Sequence, residues 1–191
     1  MTTVYFVRHA QTDYSNPVDK ERVLTKEGLK DRYKVIDFFE REGNRDRISA
    51  VYASDYRRAV DTVKPLADTL GLPVIEMTDF RERKVDETDE DYFAVCKRMW
   101  ENLDYKLEGG ECIHEVQKRN LRGLHQLLQQ HPGEIVVVGS HGMALSSLIN
   151  FYNPAFVYDD FVRIIDIKPW IVEFQFEGEQ LLSYRERELL S

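Results

Sequence analysis

Three runs of apolar, β-favouring residues along the chain each end abruptly in charged or polar side chains. Residues 3–7 are followed by Arg8 and His9, residues 48–53 are followed by a polar segment that contains Arg58, and residues 135–138 are followed by a segment that contains His141. Unbroken apolar runs of this length are typical of strands that are buried on both faces of a parallel sheet. Parallel strands end at a common edge, where open α/β sheets bind their ligands. The pattern therefore predicts that these four side chains meet at one site.

Apolar residues at helical spacing lie between and after these runs. Thr25 is a suitable N-cap, and the residues that follow it predict one helix that ends near Gly43. Its buried face is expected to consist of Leu29, Tyr33, Ile36 and Phe39. Further helices are predicted after Asp55, through residues 113–128 and through residues 143–151.

Alternating strands and helices predict an α/β protein, a three-layer sandwich with a mainly parallel sheet and helices on both faces. We expect residues 1–191 to form a single domain. Residues 170–176 alternate between apolar and polar, and with residues 181–184 they predict antiparallel edge strands, the first half-exposed, followed by a frayed tail from Arg185. Residues 86–108 are expected to form an irregular or helical excursion over the site, a candidate lid.

Composition narrows the class of protein. The net charge of -8 argues against nucleic acid as a general partner, because binding to duplexes depends on a basic surface. Two cysteines without metal-type spacing, Cys96 and Cys112, favour a reducing compartment. No apolar run approaches the ~18 residues that span a bilayer, and the N-terminus enters the first strand without a signal region. We therefore expect a cytoplasmic protein without a membrane partner, its oligomeric state open and a dimer among the options.

Two imidazoles and two guanidiniums at one edge of an acidic protein predict a site for an anion. A phosphate monoester suits them, because the planar guanidinium of arginine binds phosphate oxygens in pairs. A neutral imidazole is able to act as the nucleophile and form a covalent intermediate that water later hydrolyses. The leaving alkoxide needs a proton from an acid, and the transferring phosphoryl group needs donors that are already in place.

Five segments resemble the signature motifs of the histidine phosphatase superfamily, the phosphoglycerate mutase-like proteins, and they come in the family's order. They are residues 6–12 (Phe-Val-Arg-His-Ala-Gln-Thr), 54–62 (Ser-Asp-Tyr-Arg-Arg-Ala, then Thr62), 80–82 (Phe-Arg-Glu), 109–111 (Gly-Gly-Glu) and 138–142 (Val-Gly-Ser-His-Gly). The second segment selects Arg58 over Arg57 as the ligand.

The resemblance implies a role for each matching residue. His9 is the implied phosphorylated nucleophile, and Glu82 is the implied proton donor. The phosphate cradle that it implies consists of Arg8, Arg58 and His141. Further phosphate or substrate contacts are expected from Gln11, Thr12, Ser15, Asn16, Gly110, Glu111 and Gly142. The resemblance also implies that no metal or other cofactor is required and that the partner is a small phosphorylated substrate.

Three functions are compatible with these residues. Hydrolysis of phosphate monoesters through a phosphohistidine on His9 is favoured, because the chain is shorter than typical mutases. The alternatives are a phosphoglycerate mutase-type phosphotransferase with the same intermediate and a catalytically weak phosphate-binding module. The histidines on the predicted helix do not suggest a metal site, since His114 and His125 are separated by roughly 16 Å at 1.5 Å per residue.

Overall fold

The structure, a computed structural model, describes residues 1–85 and 91–189, and within them six strands form one sheet. The strands are β1 (Thr2–Arg8), β2 (Ile48–Ala53), β3 (Val74–Glu76), β4 (Ile135–Ser140), β5 (Trp170–Glu177) and β6 (Gln180–Arg187). Their order across the sheet is β3-β2-β4-β1-β5-β6. The pairs β1/β4, β2/β4 and β2/β3 are parallel, whereas β1/β5 and β5/β6 are antiparallel.

Seven α-helices within the described residues surround this sheet. They are α1 (Lys26–Asp31), α2 (Tyr33–Arg41), α3 (Arg57–Leu70), α4 (Tyr92–Glu101), α5 (Ile113–Gln130), α6 (Gly142–Tyr152) and α7 (Tyr158–Ile164). Short 3-10 turns occupy Asp19–Glu21, Arg45–Arg47 and Thr78–Phe80. No helix in the part of the chain that the structure describes is both long enough and apolar enough to cross a membrane.

The apolar runs of the sequence are buried on both faces of the sheet. In β1, Val4 and Phe6 point into the core beneath α4–α7, whereas Tyr5 and Val7 point into the core beneath α2 and α3. Successive side chains of a strand alternate between faces, so a strand between two helical layers is apolar at every position. The prediction of a three-layer α/β sandwich is confirmed.

The three parallel strands that precede the polar residues end in register. Arg8 pairs with Ser140 across β1 and β4, and Ala53 pairs with Gly139 across β2 and β4. Backbone hydrogen bonds continue this pairing by one residue beyond β1 and β2. The predicted common edge is therefore present, and it carries the segments that begin at His9, Ser54 and His141.

The single helix predicted from Thr25 to Gly43 is wrong, because the chain forms α1 and α2 with a joint at Arg32. Thr25 does cap α1, since its hydroxyl oxygen accepts the N–H of Gly28 at 3.0 Å. The predicted buried face is also wrong at two positions: Leu29 is 41% exposed and Tyr33 is 50% exposed. The residues of α2 that pack against the sheet are Val35, Phe38 and Phe39.

A close backbone approach explains the different face of α1. Gly28 lies against Gln11, whose carbonyl oxygen would clash with a Cβ atom at position 28. The glycine side of α1 therefore faces the protein, and the next residue, Leu29, is rotated towards solvent by the ~100° step of the helix.

The C-terminal strands differ from the prediction as well. β5 is not a half-exposed edge strand but lies between β1 and β6, and Glu173 within it is buried. Its carboxylate is 3.4 Å from Nη1 of Arg187, so an ion pair compensates the charge that suggested exposure. The tail is not frayed at residues 185–187, which belong to β6, and Arg187 also binds Glu42.

Burial on α2 and exposure on α1 predict that truncation of a side chain destabilises the fold on the first helix and not on the second. We expect Phe39→Ala to lower the free energy of unfolding by about 3–5 kcal/mol, because the ring is fully buried and its removal leaves a cavity. Leu29→Ala is the matched control, and we expect a change within about 0.5 kcal/mol. Urea unfolding followed by circular dichroism measures both, and equal losses in the two variants would contradict the observed faces.

Candidate active site

His9 lies immediately beyond the end of β1 and is buried. Its backbone N–H donates to the carbonyl oxygen of Ser140 at 3.0 Å, which fixes the residue to the end of β4. The next residue, Ala10, donates its N–H to the hydroxyl of Thr62 at 3.0 Å, and that hydroxyl donates to the carbonyl of Arg58 at 2.7 Å. The imidazole is thus held between the sheet and the first turns of α3.

The hydrogen bonds of His9 determine which ring nitrogen is free. Nδ1 is 2.8 Å from the carbonyl oxygen of Ala10, which only accepts hydrogen bonds, so Nδ1 carries the proton. Thr12 lies beside it, with its hydroxyl 2.9 Å from Nδ1 and 3.2 Å from the same carbonyl. In the neutral ring Nε2 then has a free lone pair. Burial, reinforced by the charges of Arg58 and Arg8, lowers the pKa of His9 well below its ordinary value of 6.5.

His141 follows β4 and faces His9. The two ring centroids are 5.3 Å apart, and Nε2 of His141 is 2.6 Å from the hydroxyl oxygen of Ser54 at the end of β2. Nδ1 is buried and has no hydrogen-bond partner among the described residues. Burial, together with the charge of Arg58 and then His9, lowers the pKa of His141 well below its ordinary value, so this imidazole is neutral at physiological pH.

Arg58 occupies the first turn of α3, and its side chain is almost completely buried. Nη1 donates to the carbonyl oxygen of Asp19 at 2.7 Å and lies 3.0 Å from its carboxylate oxygen Oδ1. The guanidinium carbon also stacks over the ring of Tyr56, 5.0 Å from its centroid. A carboxylate therefore occupies the position beside Arg58 that a phosphate oxygen would need.

Arg8 is the last residue of β1 and is also buried. Nη1 donates to the carbonyl oxygens of Ile164 at 2.6 Å and Ile167 at 3.4 Å, while Nε has no partner among the described residues. Burial lowers its pKa, an effect that the negative charge of Glu82 opposes. A Cβ atom at Gly142 would lie 3.1 Å from three atoms of this guanidinium, so the glycine allows Arg8 its position.

Glu82 approaches the site from a different part of the sheet edge, two residues after the turn Thr78–Phe80. Its carboxylate accepts the backbone N–H groups of Met143 at 3.1 Å and Ala144 at 3.0 Å at the N-terminus of α6. It also accepts the N–H of Arg83 at 2.7 Å. The carboxylate is therefore anchored beside the strand end that supplies His141.

These side chains border a cavity of about 640 Å³. Of the predicted site residues, those that line it are Arg8, His9, Arg58, Glu82 and Gly142; the other lining residues are Tyr14, Pro17, Asp19, Arg22, Tyr56, Lys84, Val85, Tyr92, Phe93, Met143, Phe161, Ile165 and Lys168. His141 faces His9 but is not among the lining residues. The predicted excursion 86–108 contributes two aromatic side chains of α4, whereas Val95, Cys96, Met99 and Trp100 of that helix pack into the core. Residues 86–90 lie outside the described residues.

The other predicted substrate contacts lie away from the cavity lining. They are Gln11, Thr12, Ser15, Asn16, Gly110 and Glu111. Gln11 accepts the hydroxyl of Thr25 at 2.8 Å, and Ser15 and Asn16 take part in local turns of the loop. Substrate contact by these six residues stays a prediction.

Glu111 holds the loop that carries Glu82. Its carboxylate accepts two hydrogen bonds from Arg119, both at 2.9 Å, and the N–H of Lys84 at 2.8 Å. Arg119 in turn donates to the carbonyls of Asp79, Arg81 and Glu82. Although burial raises the pKa of Glu111, these donors outweigh it and lower the pKa.

Several residues of the site have no signal in the sequence. Asp19 belongs to a short 3-10 turn and Lys168 to an irregular connection, and their place in the cavity depends on tertiary packing. Ser54 could have been found, because it follows β2 in register with the strand end that precedes His141. Within residues 1–85 and 91–189, no three His, Cys, Asp or Glu side chains are grouped so that they could hold a metal ion.

The buried histidines predict a pH-dependent stability. In the folded protein His9 and His141 remain neutral at a pH where the unfolded chain binds a proton on each, because folding lowers both pKa values. The free energy of unfolding should therefore fall as the pH decreases below about 6.5, by about 1.4 kcal/mol per pH unit for each histidine. We expect His9→Gln to reduce this slope by about 1.4 kcal/mol per pH unit.

Urea unfolding titrations between about pH 5 and about pH 8 measure the two slopes. Above about pH 7.5 the slopes of the wild type and the variant should converge, because histidine in the unfolded chain is also neutral there. A variant with the wild-type slope under acidic conditions would contradict a buried, neutral His9.

Comparison with known proteins identifies relatives of this chain. The model of the histidine phosphatase superfamily (branch 1) matches residues 4–157. The chain is 30% identical over 165 residues to the metal-independent phosphoserine phosphatase of Arabidopsis thaliana, covering 78% of this chain and 67% of that protein. It is 27% identical over 159 residues to phosphoserine phosphatase 1 of Hydrogenobacter thermophilus, covering 78% and 74%.

Solved structures share the fold. YhfR of Bacillus stearothermophilus matches with a TM-score of 0.74 at 20% identity, over 95% of this chain and 94% of that one. Phosphoserine phosphatase of Entamoeba histolytica, in complex with 3-phosphoglyceric acid, matches with a TM-score of 0.73 at 20% identity over 100% of both chains. The family model matches most of the length of the chain, which therefore belongs to branch 1 of the histidine phosphatase superfamily.

Proposed function

We propose that this protein is a metal-independent phosphatase that hydrolyses small phosphate monoesters through a phosphohistidine on His9. The observation that carries the proposal is the hydrogen bond from Nδ1 of His9 to the carbonyl oxygen of Ala10, because it leaves the lone pair of Nε2 free. The imidazole is buried, and its pKa is lowered by burial, by Arg58 and by Arg8, so it is neutral and nucleophilic at physiological pH.

In the first step, Nε2 of His9 forms a bond to phosphorus while the bond from phosphorus to the ester oxygen breaks. Glu82 gives its proton to the leaving oxygen, which departs as an alcohol. The positive charge that develops on the imidazole is stabilised by the carbonyl of Ala10, which holds the proton on Nδ1. The transferring group gains charge on its oxygens, and the guanidiniums of Arg58 and Arg8, which line the same cavity, stabilise it.

In the second step, a water molecule replaces the alcohol. Its oxygen bonds to phosphorus, its proton passes to the carboxylate of Glu82, and the electron pair of the P–N bond returns to Nε2 of His9. Glu82 is then protonated for the next cycle. The three backbone N–H groups that bind its carboxylate fix the position of the acid and base beside the cavity.

The names of the relatives and the volume of the cavity together suggest the substrate class. The curated relatives include phosphoserine phosphatases, and a cavity of about 640 Å³ suits a small phosphorylated metabolite. We also propose a cytoplasmic location, which the free thiols of the buried Cys96 and Cys112 support. The proposal treats residues 1–191 as one catalytic domain, with α4 forming part of the cover over the site.

A phosphorylated intermediate on His9 is the first prediction of this mechanism. Wild-type protein that is mixed rapidly with p-nitrophenyl phosphate should gain one phosphoryl group, located on His9 by mass spectrometry, and should release p-nitrophenol continuously. We expect His9→Ala to lose the modification and to lower kcat by at least about 10³, because no nucleophile remains. His125→Ala, a half-exposed histidine of α5 outside the cavity lining, is the matched control and should retain activity.

Two further arms of this experiment separate the alternatives. Chelator treatment should leave turnover unchanged, and a loss restored by a divalent cation would contradict metal independence. Addition of a bisphosphorylated glycerate tests for phosphoryl return to a monophosphate, which a mutase would give in place of inorganic phosphate. Phosphate binding with no turnover of any ester would favour the binding-module alternative.

Neighbouring arginines allow a matched test of the phosphate cradle. We expect Arg58→Ala to lower kcat/KM for p-nitrophenyl phosphate by about 10²–10³, because a buried donor to the transferring phosphoryl group is lost. Arg57→Ala should change it less than about twofold, since the Arg57 side chain is 65% exposed and pairs with Asp61 on the helix surface. Similar losses in both variants, measured by steady-state kinetics, would contradict the role of Arg58.

A further inference from the structure

Lys168 is a cation of the cavity that the proposed mechanism does not use. It lies in the connection between α7 and β5, lines the cavity and is half-buried. Its ammonium group makes no hydrogen bond or ion pair within the part of the chain that the structure describes. Burial and the charge of Arg8 lower its pKa, and its own charge is among those that lower the pKa of His9. An unpaired ammonium group thus lines the same cavity as the reacting imidazole.

A half-buried charge without a partner is unfavourable unless a ligand compensates it. The surroundings of Lys168 do not supply that compensation. Arg8, which is itself cationic, is its neighbour, and Asp166 exerts only the weaker, opposing effect on its pKa. The group is therefore placed to bind an anion that arrives with the substrate.

The charges around the cavity indicate how many anionic groups it accommodates. Five cationic side chains line it, Arg8, Arg22, Arg58, Lys84 and Lys168, against the two carboxylates of Asp19 and Glu82. Arg22 and Arg58 both pair with Asp19. Three positive charges are in excess when both carboxylates are ionised, and four when Glu82 carries the proton of the acid. A phosphoryl dianion compensates two of them, so positive charge remains that a carboxylate of the substrate would balance.

The wall next to Lys168 is apolar. Phe161 and Ile165 of the same segment line the cavity beside it, and Phe93 and Tyr92 of α4 also line the cavity. Such a wall suits a short carbon chain between the phosphate ester and a terminal anion.

We infer that Lys168 binds a carboxylate on the leaving group and so selects phosphate monoesters of hydroxy acids over neutral phosphate monoesters. The inference rests on the proposed function, because the phosphoryl group must be held at His9 for its leaving group to reach Lys168. Arg58 and Arg8 recognise the phosphoryl group, which every monoester shares, whereas Lys168 recognises the part that differs between substrates.

Paired substrates test this role directly. 3-(Phosphonooxy)propanoate and propyl phosphate have the same chain length and differ in the terminal carboxylate. We expect the wild type to favour the carboxylate substrate in kcat/KM by at least about tenfold. A factor of this size corresponds to the free energy of one hydrogen bond to a charged group. Lys168→Met should bring this ratio close to one through a rise in KM for the carboxylate substrate, because the contact is present in the ground state as well.

Two variants serve as controls for this test. Lys168→Arg keeps the positive charge and should keep most of the preference for the carboxylate substrate, which separates loss of charge from disruption of the connection. Lys118→Met removes an exposed lysine of α5 outside the cavity and should leave the ratio at the wild-type value. A wild-type ratio near one, or an equal loss on both substrates in Lys168→Met, would overturn the inference.

Binding measurements separate this inference from the proposed function. Isothermal titration calorimetry with 3-phosphonopropanoate and with propylphosphonate, neither of which is a phosphate ester, needs no turnover. Tighter binding of the carboxylate ligand to wild type but not to Lys168→Met supports the role of Lys168, even if no ester is hydrolysed and the proposed function fails. Equal affinities of the wild type for the two ligands would overturn it, even in an active phosphatase.

Discussion

The register of three parallel strands is the constraint on which the site depends. β1, β4 and β2 end within one residue of each other, and the bonds His9 N–H to Ser140 and Ser54 N–H to Gly139 extend the pairing beyond the strands. Side chains from three distant parts of the sequence thereby reach one edge without any loop that must be ordered separately. A shift of one residue in any of these strands would turn the next side chain to the opposite face.

Burial then gives the converging groups their chemical states. His9 and His141 are enclosed next to two guanidiniums, so both imidazoles are neutral, and their hydrogen bonds to Ala10 and Ser54 fix the rings. An exposed pair of histidines would be partly protonated and free to rotate. The same enclosure strengthens every interaction with an incoming anion, because the surrounding protein lowers the effective dielectric constant.

Much of the fold and the centre of the site follow from the sequence, and the remainder depends on packing. Apolar runs and their polar ends identify Arg8, His9, Arg58 and His141, because strand ends obey a simple rule of topology. The spacing of apolar residues predicts that Leu29 is buried, but it is exposed. The close approach of Gly28 to the backbone of Gln11 sets the orientation of the helix, and the spacing of apolar residues does not reveal that contact. Cavity residues from loops have no periodic pattern, so only the folded chain reveals them.

The carboxylate of Asp19 gives the resting pocket an internal counterion. Because it already pairs with Arg58, an arriving phosphate exchanges one ion pair for another instead of neutralising a bare charge. The net gain on binding is the difference between two similar attractions, so neither ester nor orthophosphate is held as tightly as the naked guanidinium would hold it. An enzyme that releases orthophosphate in every catalytic cycle benefits from this moderate affinity, because tightly bound product would keep the site occupied.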